Sequence, residues 1–372
     1  MANSPSMKLT SVQELVKAAP PLSSIPLHFL QQTRIALSVP TPSSSAEIPT
    51  VDYTLLASPG SGETELQKLH SACKNWGIFQ FACILLSLLS VFCISMCFHY
   101  GKVVNHGMSP EVMEKLRGEI EEFYELPLEE KMKYGGDGEG YGGGRVRANG
   151  IRDWGDRLYI TTNPVHLRRP NLLPQLPSSL RDNLETYIQT LKTLASGLLG
   201  SMEEALEMEA NEMAAKMDDG LQSVAIIYYP PCPQPELVLG FTPHSDATCI
   251  TILSQVNGVG GLQAKTRDGS WVPVNILPNA LVVLVGDILE VFSNGLYESA
   301  EHRVTVNPDK ERISMAFFVN PKLEAEIGPA ASLVMKNPPC RFKTISTEQY
   351  FNNFFGRVLD RKTNLEALKI DN

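Results

Sequence analysis

Residues 240–253 read GFTPHSDATCITIL, and this stretch decides the fold. His244 and Asp246 are separated by one residue, so on a β-strand their side chains would point to the same side of the sheet. A second histidine, His302, follows in the run YESAEHRVTV. From Val224 to Asn320, short Val-, Ile- and Phe-rich runs alternate with Gly, Pro and Asn turns, a pattern that predicts antiparallel sheet.

A second pair of polar residues follows the histidines. The strand-like run ERISMAFFV places Arg312 and Ser314 on one strand face, where a guanidinium beside a hydroxyl suits a carboxylate ligand. Two histidines and one carboxylate that leave other coordination positions open are typical of non-haem Fe(II) oxygenases. Ligand type alone also permits Mn, Co or Ni, so a cupin-like protein that holds another metal is an alternative.

Longer stretches surround these residues: YYPPCPQPELVLGFTPHSDATCITIL, VGDILEVFSNGLYESAEHRVTVN and ERISMAFF, with IPTVDYTLL, WGIFQ, VVNHGMS, RDWGDRLYI and the tail QYFNNFFGRVLDRKTNLEALKI elsewhere. Together they resemble the plant Fe(II)- and 2-oxoglutarate-dependent dioxygenases over nearly the whole chain. The resemblance implies a mixed α+β fold with a double-stranded β-helix (jelly-roll) core and flanking helices. It also implies that RDWGDRLYI lines the substrate side.

The resemblance implies a specific chemistry. His244, Asp246 and His302 would bind Fe(II), O2 would be the oxidant, and ascorbate would act as reductant. The cosubstrate 2-oxoglutarate would chelate the iron and place its far carboxylate against Arg312 and Ser314. Its decarboxylation to succinate and CO2 would drive hydroxylation, demethylation or desaturation of a small plant specialised metabolite. The stretch NPKLEAEIGPAASLV is most similar to the branch with alkaloid O-demethylases and senescence-related proteins.

Two further residues gain a role from the resemblance. Tyr229 matches a family tyrosine that hydrogen-bonds 2-oxoglutarate, and Phe318 matches a pocket aromatic of relatives, although both positions also suit a core aromatic. The family usually has Asn two positions before this tyrosine, whereas this chain has Ile227. An aliphatic side chain cannot supply the hydrogen bonds of an amide, so the affinity for 2-oxoglutarate is left open.

An uncharged apolar segment at residues 81–98, FACILLSLLSVFCISMCF, interrupts the resemblance. Its length and composition would suit a membrane span. The flanking runs WGIFQ and VVNHG, however, form one continuous strand of the family pattern when they are joined directly. We therefore interpret residues 81–102 as a foreign insert from a retained intron or mispredicted exon. A membrane-tethered, mis-spliced or catalytically impaired family member without turnover is the alternative.

Charge and cysteine content limit the class of protein. The chain has 372 residues and a formal net charge of −9, which argues against nucleic acid and anionic membrane surfaces as partners. Its seven cysteines are irregularly spaced, as expected for reduced thiols rather than a disulfide framework. The start MANSPSMKLTSVQEL has no apolar run, so no signal peptide is expected. We expect a cytoplasmic monomer that acts on a small molecule.

Five regions are predicted: an N-terminal arm at 1–47, an N-terminal region of the enzyme at 48–165, a buttress region at 166–220, the catalytic jelly roll at 221–322 and a helical tail at 323–372. A long helical pattern occupies residues 179–208. The run GGDGEGYGGG matches a GxGxxG pattern at Gly138, Gly140 and Gly143, but it neither follows a predicted strand nor opens a helix. It therefore predicts a flexible loop rather than a dinucleotide site.

Overall fold

The computed structural model describes residues 11–18, 22, 24–31, 47–56, 62–82, 110–136, 138–143, 150–169, 171–172, 178–355 and 363–370. The helices are α1 (Val12–Lys17), α2 (Tyr53–Leu56), α3 (Gly62–Asn75), α4 (Pro110–Glu125), α5 (Leu128–Met132), α6 (Ser178–Ala205), α7 (Ala214–Met217), α8 (Asp287–Phe292), α9 (Ala331–Lys336), α10 (Thr347–Phe355) and α11 (Thr363–Leu368). The strands are β1 (Thr50–Asp52), β2 (Ile78–Ala82), β3 (Gly140–Gly143), β4 (Asp156–Asn163), β5 (Gln222–Tyr229), β6 (Phe241–His244), β7 (Ile250–Gln255), β8 (Leu262–Lys265), β9 (Trp271–Pro273), β10 (Leu281–Val285), β11 (His302–Val304), β12 (Arg312–Val319), β13 (Glu326–Ile327) and β14 (Ile345–Ser346).

Two sheets form the core and confirm the predicted mixed α+β jelly roll with flanking helices. The large sheet has the strand order β1-β2-β10-β7-β12-β5-β4-β3, and the small sheet has the order β6-β11-β8-β9. Strand pairing in both is antiparallel, except that β1 and β2 run parallel. The catalytic region 221–322 and the region 48–165 thus contribute strands to one continuous sheet. The proposed boundary between them remains a prediction.

The central strand β12 shows why the two faces of the large sheet differ. Its residues Ile313, Met315 and Phe317 belong to the apolar cluster that also contains Leu184 and Leu191 of α6. Successive strand residues point to opposite faces, so the intervening residues of β12 face the inside of the two-sheet core. The helix predicted at residues 179–208 is confirmed as α6, whose bounds lie within a few residues of the prediction. Its apolar residues pack against the large sheet.

The last described part of the glycine-rich run, Gly140–Gly143, is strand β3, so the predicted loop is wrong for these four residues. Strand β3 pairs with β4 in register from Gly140 opposite Tyr159 to Gly143 opposite Asp156. Gly140 has φ +80°, and a Cβ atom there would lie 1.9 Å from the carbonyl oxygen of Tyr134. Glycine is required at this position because the backbone takes the left-handed conformation at a close approach. In addition, the tail 323–372 contains the β13–β14 pair as well as helices.

The described part of the N-terminal arm is fixed to the large sheet through a buried carboxylate. Asp156 on β4 accepts hydrogen bonds from Ser11 Oγ at 2.5 Å, from the backbone N–H of Val12 at 2.8 Å and from that of Gln13 at 3.0 Å. A carboxylate at a helix N-terminus satisfies N–H groups that have no partner within the helix. The beginning of α1 is thereby held against β4.

Strand β2 extends two residues into the segment 81–102. Phe81 pairs with Val51 of β1 and with Leu281 of β10, so the first two residues of the predicted insert occupy strand positions. The rest of the segment, with most of the apolar run, lies outside the described residues. Within the described residues, none of the helices has the length and apolar character needed to cross a bilayer.

We expect that deletion of residues 81–102 gives a more soluble and more active protein than the full chain. The deletion joins Gln80 to Val103 and Val104, which would occupy the strand positions now taken by Phe81 and Ala82, and β-branched residues suit a strand. It also removes an apolar run that promotes aggregation. Soluble yield and thermal unfolding of the two proteins, expressed in parallel, provide the comparison.

An equally long deletion of residues 83–104 is the matched control. It keeps Phe81 and Ala82 but loses the two valines, so we expect similar solubility and a lower melting temperature than for the first deletion. Partition of the full chain into membranes with its activity intact, together with loss of activity on deletion, would rule out the insert interpretation.

Candidate active site

The small sheet brings together the three residues predicted as metal ligands. His302 at the start of β11 pairs directly with His244 at the end of β6, and Asp246 follows two residues after His244. The Nε2 atoms of His244 and His302 lie 3.3 Å and 3.8 Å from Oδ1 of Asp246. All three side chains are buried, and their potential ligand atoms lie within 4.8 Å of one another. Across the described ranges, no other group of His, Cys, Asp and Glu side chains meets this geometry.

Backbone carbonyls orient both imidazoles. Nδ1 of His244 lies 2.7 Å from the carbonyl oxygen of Thr242, and Nδ1 of His302 lies 3.0 Å from that of Ala300. A carbonyl can only accept, so each Nδ1 carries the proton, and each Nε2 presents its lone pair toward Asp246. This arrangement is the usual one for metal-binding histidines, whose second nitrogen is hydrogen-bonded to fix the tautomer.

The electrostatics of the three residues suit cation binding. Burial, aided by the neighbouring His244, lowers the pKa of His302 to about 4, so this imidazole is neutral at physiological pH. Burial acts to raise the pKa of Asp246, but the adjacent imidazoles outweigh it and hold this pKa below its usual range. A buried carboxylate beside two imidazole nitrogens is a donor set that suits a divalent metal, which would balance the buried negative charge.

The predicted carboxylate anchor is also assembled. Arg312 is 1% exposed and donates from one Nη to Ser314 Oγ at 3.0 Å, while Nε and the second Nη have no partner among the described residues. The guanidinium carbon lies 5.1 Å from the centre of the Tyr229 ring, directly across the β12–β5 pair. Burial lowers the pKa of Arg312 and raises that of Tyr229. Two unpaired donors on a buried cation fit the far carboxylate of 2-oxoglutarate.

One cavity of about 120 Å³ connects these groups. Its wall includes the three candidate metal ligands, Tyr229 and Ser314, and also Ile227 and the predicted pocket residue Phe318. Ile227 pairs with Ser314 across the two strands, so an aliphatic side chain lies beside the proposed anchor. Because Ile227 lies in the cavity wall, its lack of hydrogen-bonding groups bears directly on the affinity for 2-oxoglutarate, which the sequence left open.

Several cavity residues were not singled out from the sequence. Tyr159 comes from β4, the strand of RDWGDRLYI that was expected on the substrate side, and Phe351 and Phe354 come from α10 in the C-terminal tail. Asn320, directly after β12, also lines the cavity. Asn320 follows Arg312 and Ser314 by an even number of residues, so its side chain is expected on the same strand face. This spacing could have identified it from the sequence. The contribution of α10 had no such signal, because it depends on how the tail packs.

Comparisons with known proteins agree with this geometry. The family profile of the 2OG-Fe(II) oxygenase superfamily matches residues 221–321, which include every predicted site residue. A second profile, described as non-haem dioxygenase in morphine synthesis N-terminal, matches residues 93–176. That match begins inside the segment 81–102.

Similar proteins cover almost the whole chain. An oxoglutarate-dependent flavonoid 7-O-demethylase from Ocimum basilicum is 43% identical over 99% of this chain and 92% of its own length. Codeine O-demethylase from Papaver somniferum is 39% identical over 98% of this chain and 97% of its own length. Among solved structures, JOX2 in complex with 2OG, Fe and JA superposes with a TM-score of 0.81 at 29% identity, over 97% of this chain and 98% of the other.

We expect that His302→Ala weakens Fe(II) binding by at least about 100-fold, because loss of a ligand costs more than loss of an orienting partner, which costs 10–100-fold. Equilibrium dialysis with Fe(II) under anaerobic conditions measures the affinity directly. His166→Ala is the matched control, since His166 is exposed on the surface and should bind iron as the parent does. Full iron-dependent activity in His302→Ala would show that the metal site is elsewhere.

Proposed function

We propose that this chain, which belongs to the 2OG-Fe(II) oxygenase superfamily, removes a methyl group from a methoxylated plant aromatic compound. The family is that of the plant Fe(II)- and 2-oxoglutarate-dependent dioxygenases, so the chain is an oxidoreductase that uses Fe(II), 2-oxoglutarate and O2. The proposal concerns the substrate and the reaction. Its main support is one cavity whose wall includes the metal-binding triad, several aromatic rings, and Ser314 and Tyr229, which contact a buried arginine with free donors.

We assign the metal to His244, Asp246 and His302. These residues would supply two imidazole nitrogens and one carboxylate, a set that leaves other coordination positions for cosubstrate and O2. When bound, the iron and 2-oxoglutarate supply the oxidising power, with succinate and CO2 as products. The carbonyls of Thr242 and Ala300 hold the imidazoles in place throughout.

The cosubstrate is assigned to Arg312, Ser314 and Tyr229. The planar guanidinium can bind both oxygens of a carboxylate, and Ser314 fixes its orientation from the same strand face. Tyr229 covers the guanidinium from β5 and restricts the access of water. In a dry site these charge-assisted hydrogen bonds are stronger than in water.

The choice of demethylation rests on the relatives together with the cavity. The two curated relatives described above demethylate a flavonoid and codeine, which share a methoxy group rather than a ring skeleton. The cavity wall of this chain carries the aromatic rings of Tyr159, Phe241 and Phe318, which suit a flat aromatic substrate. Hydroxylation or desaturation without demethylation is the alternative outcome. We propose further that the protein acts as a cytoplasmic monomer with ascorbate as reductant.

We expect the protein, supplied with Fe(II), 2-oxoglutarate and O2, to release formaldehyde from methoxylated flavones and to form an equal amount of succinate, with CO2, from 2-oxoglutarate. One oxygen atom of O2 enters succinate, and the other enters the methyl group, which leaves as formaldehyde to give the free phenol. Mass spectrometry and a formaldehyde assay follow both products. The control substrate is the same flavone without its methoxy group. Hydroxylated product without formaldehyde would reject demethylation but retain the enzyme class, whereas no substrate-dependent succinate would reject turnover altogether.

We expect Arg312→Lys to raise the KM for 2-oxoglutarate at least about tenfold, because lysine keeps the charge but loses the two-point contact, which is worth roughly 1.5–3 kcal/mol. Initial rates of succinate formation at varied 2-oxoglutarate give the constant. Arg303→Lys is the matched control, since Arg303 is a buried strand arginine that donates to Gln263 in the small sheet. An unchanged KM in Arg312→Lys would point to a different anchor.

A further inference from the structure

Asn320 places an unsatisfied amide against the cavity wall. The residue is 4% exposed, lines the cavity, and has no hydrogen-bond partner for its Oδ1 among the described residues. An unpaired buried amide oxygen destabilises the folded protein, whereas a leucine of similar size would avoid this cost. A polar group that is held in an apolar cavity without a partner is suited to a partner on a ligand.

The backbone around Asn320 is tightly fixed. Its N–H donates to the carbonyl oxygen of Leu221 at 3.0 Å, and a Cβ atom on Gly220 would lie only 2.1 Å from the carbonyl oxygen of Asn320. The main chain therefore has little freedom to move at this point. Rotation about the terminal side-chain bond remains possible, and it allows the amide to offer either its oxygen acceptor or its N–H donors.

The surroundings of Asn320 define the class of ligand. Phe318 and Tyr159 lie nearby in the wall with ring centres 6.3 Å apart, and the Tyr159 hydroxyl donates to Ser223 Oγ at 2.7 Å. Along β12, Asn320 is about 20 Å from Ser314, at roughly 3.3 Å per residue. The cavity therefore has a cosubstrate end at Ser314 and an end remote from it, where Phe318 and Asn320 lie. Two of the described wall residues have an unpaired buried oxygen, Asn320 and Ser245, and Ser245 directly follows the candidate metal ligand His244.

We propose that the side-chain amide of Asn320 recognises a hydroxyl or carbonyl group on the substrate, on a ring remote from the methyl ether. This inference rests on the proposed demethylation and narrows the substrate class to aromatic methyl ethers with a distant hydrogen-bonding group. A substrate without that group leaves the amide unpaired and binds less tightly. A site built to pair with a polar group on its substrate discriminates strongly against analogues that lack the group.

Binding of two matched probes tests the role of Asn320. The probes are 7-methoxyflavone and 4′-hydroxy-7-methoxyflavone, which differ by one hydroxyl on the ring remote from the ether. Equilibrium dialysis under anaerobic conditions uses the full chain loaded with Mn(II) and 2-oxoglutarate, so that no turnover occurs. We expect the parent to prefer the hydroxylated probe about tenfold or more. In Asn320→Leu the preference should fall below about twofold, mainly through weaker binding of the hydroxylated probe.

A second variant separates recognition from packing. Asn320→Asp keeps the shape and an acceptor but loses the N–H donors, so it should still prefer the hydroxylated probe. It should lose affinity for a third probe, 4′-acetyl-7-methoxyflavone, whose ketone can only accept. A general packing defect would weaken the binding of all three probes alike, whereas loss of an amide contact changes only the probes that carry the matching group.

Gln222→Leu is the matched control. Gln222 lies opposite Val319, next to Ser223 on β5, and is buried with an unpaired Oε1, yet it is not part of the cavity wall. Its replacement removes a similar unpaired oxygen from the same strand end and should leave the probe preference unchanged.

The outcomes distinguish this inference from the proposed function. A preference that survives in Asn320→Leu, equal binding of the two probes by the parent, or no binding of either probe would each overturn the role of Asn320. A preference that depends on Asn320 without any formaldehyde release in air would support the role of Asn320 and reject demethylation alone. If Asn320→Leu does not fold, as judged by circular dichroism, Asn320→Asp is the test. Loss of binding to the ketone probe in this variant would support the role of Asn320, and unchanged binding would overturn it.

Discussion

The antiparallel pair between β6 and β11 is the constraint on which the site depends. Its register places His302 directly opposite His244, and the turn after β6 returns Asp246 to the same point. The backbone carbonyl of Asp246 accepts a hydrogen bond from the N–H of Asp287 at the start of α8, so the carboxylate ligand is also fixed by its main chain. A shift of one residue in this register would turn the two imidazoles to opposite faces of the small sheet.

Strand β12 positions the remainder of the site, because its successive side chains point to opposite faces of the large sheet. One set of its residues packs against the helices, and the other set carries the anchor Arg312 with Ser314, then Ala316 and Phe318 along the cavity, with Asn320 next in phase. Under the proposed assignment, a single strand thus sets the distance between the cosubstrate and the remote end of a substrate. Because β12 lies between β5 and β7, both of its edges are paired and its position is rigid.

Much of the site could be predicted from the sequence, because the relevant signals are local. The alternation of side chains on strands placed Arg312 with Ser314, and the helical period gave α6 within a few residues. His244 and Asp246 do lie together as predicted, but Asp246 follows the end of β6 instead of belonging to the strand. Strand β3 was missed because glycines give no strand signal, and because its partner β4 lies elsewhere in the sequence. Phe354 was missed because its place in the wall is set by long-range packing of α10 against the sheets.

Ile227 replaces the asparagine that the family usually has at this position, and this change affects which residues can bind the cosubstrate. It lies opposite Ser314 and contributes only apolar surface to the cavity, so it offers a ligand neither a donor nor an acceptor. Any polar contact that an amide would make there must come from other groups. Under the proposed assignment those groups are Arg312, Ser314 and Tyr229, and Arg312 alone among them brings two unpaired donors. The free energy of cosubstrate binding in this chain should therefore depend more heavily on the guanidinium than it would with an amide at position 227.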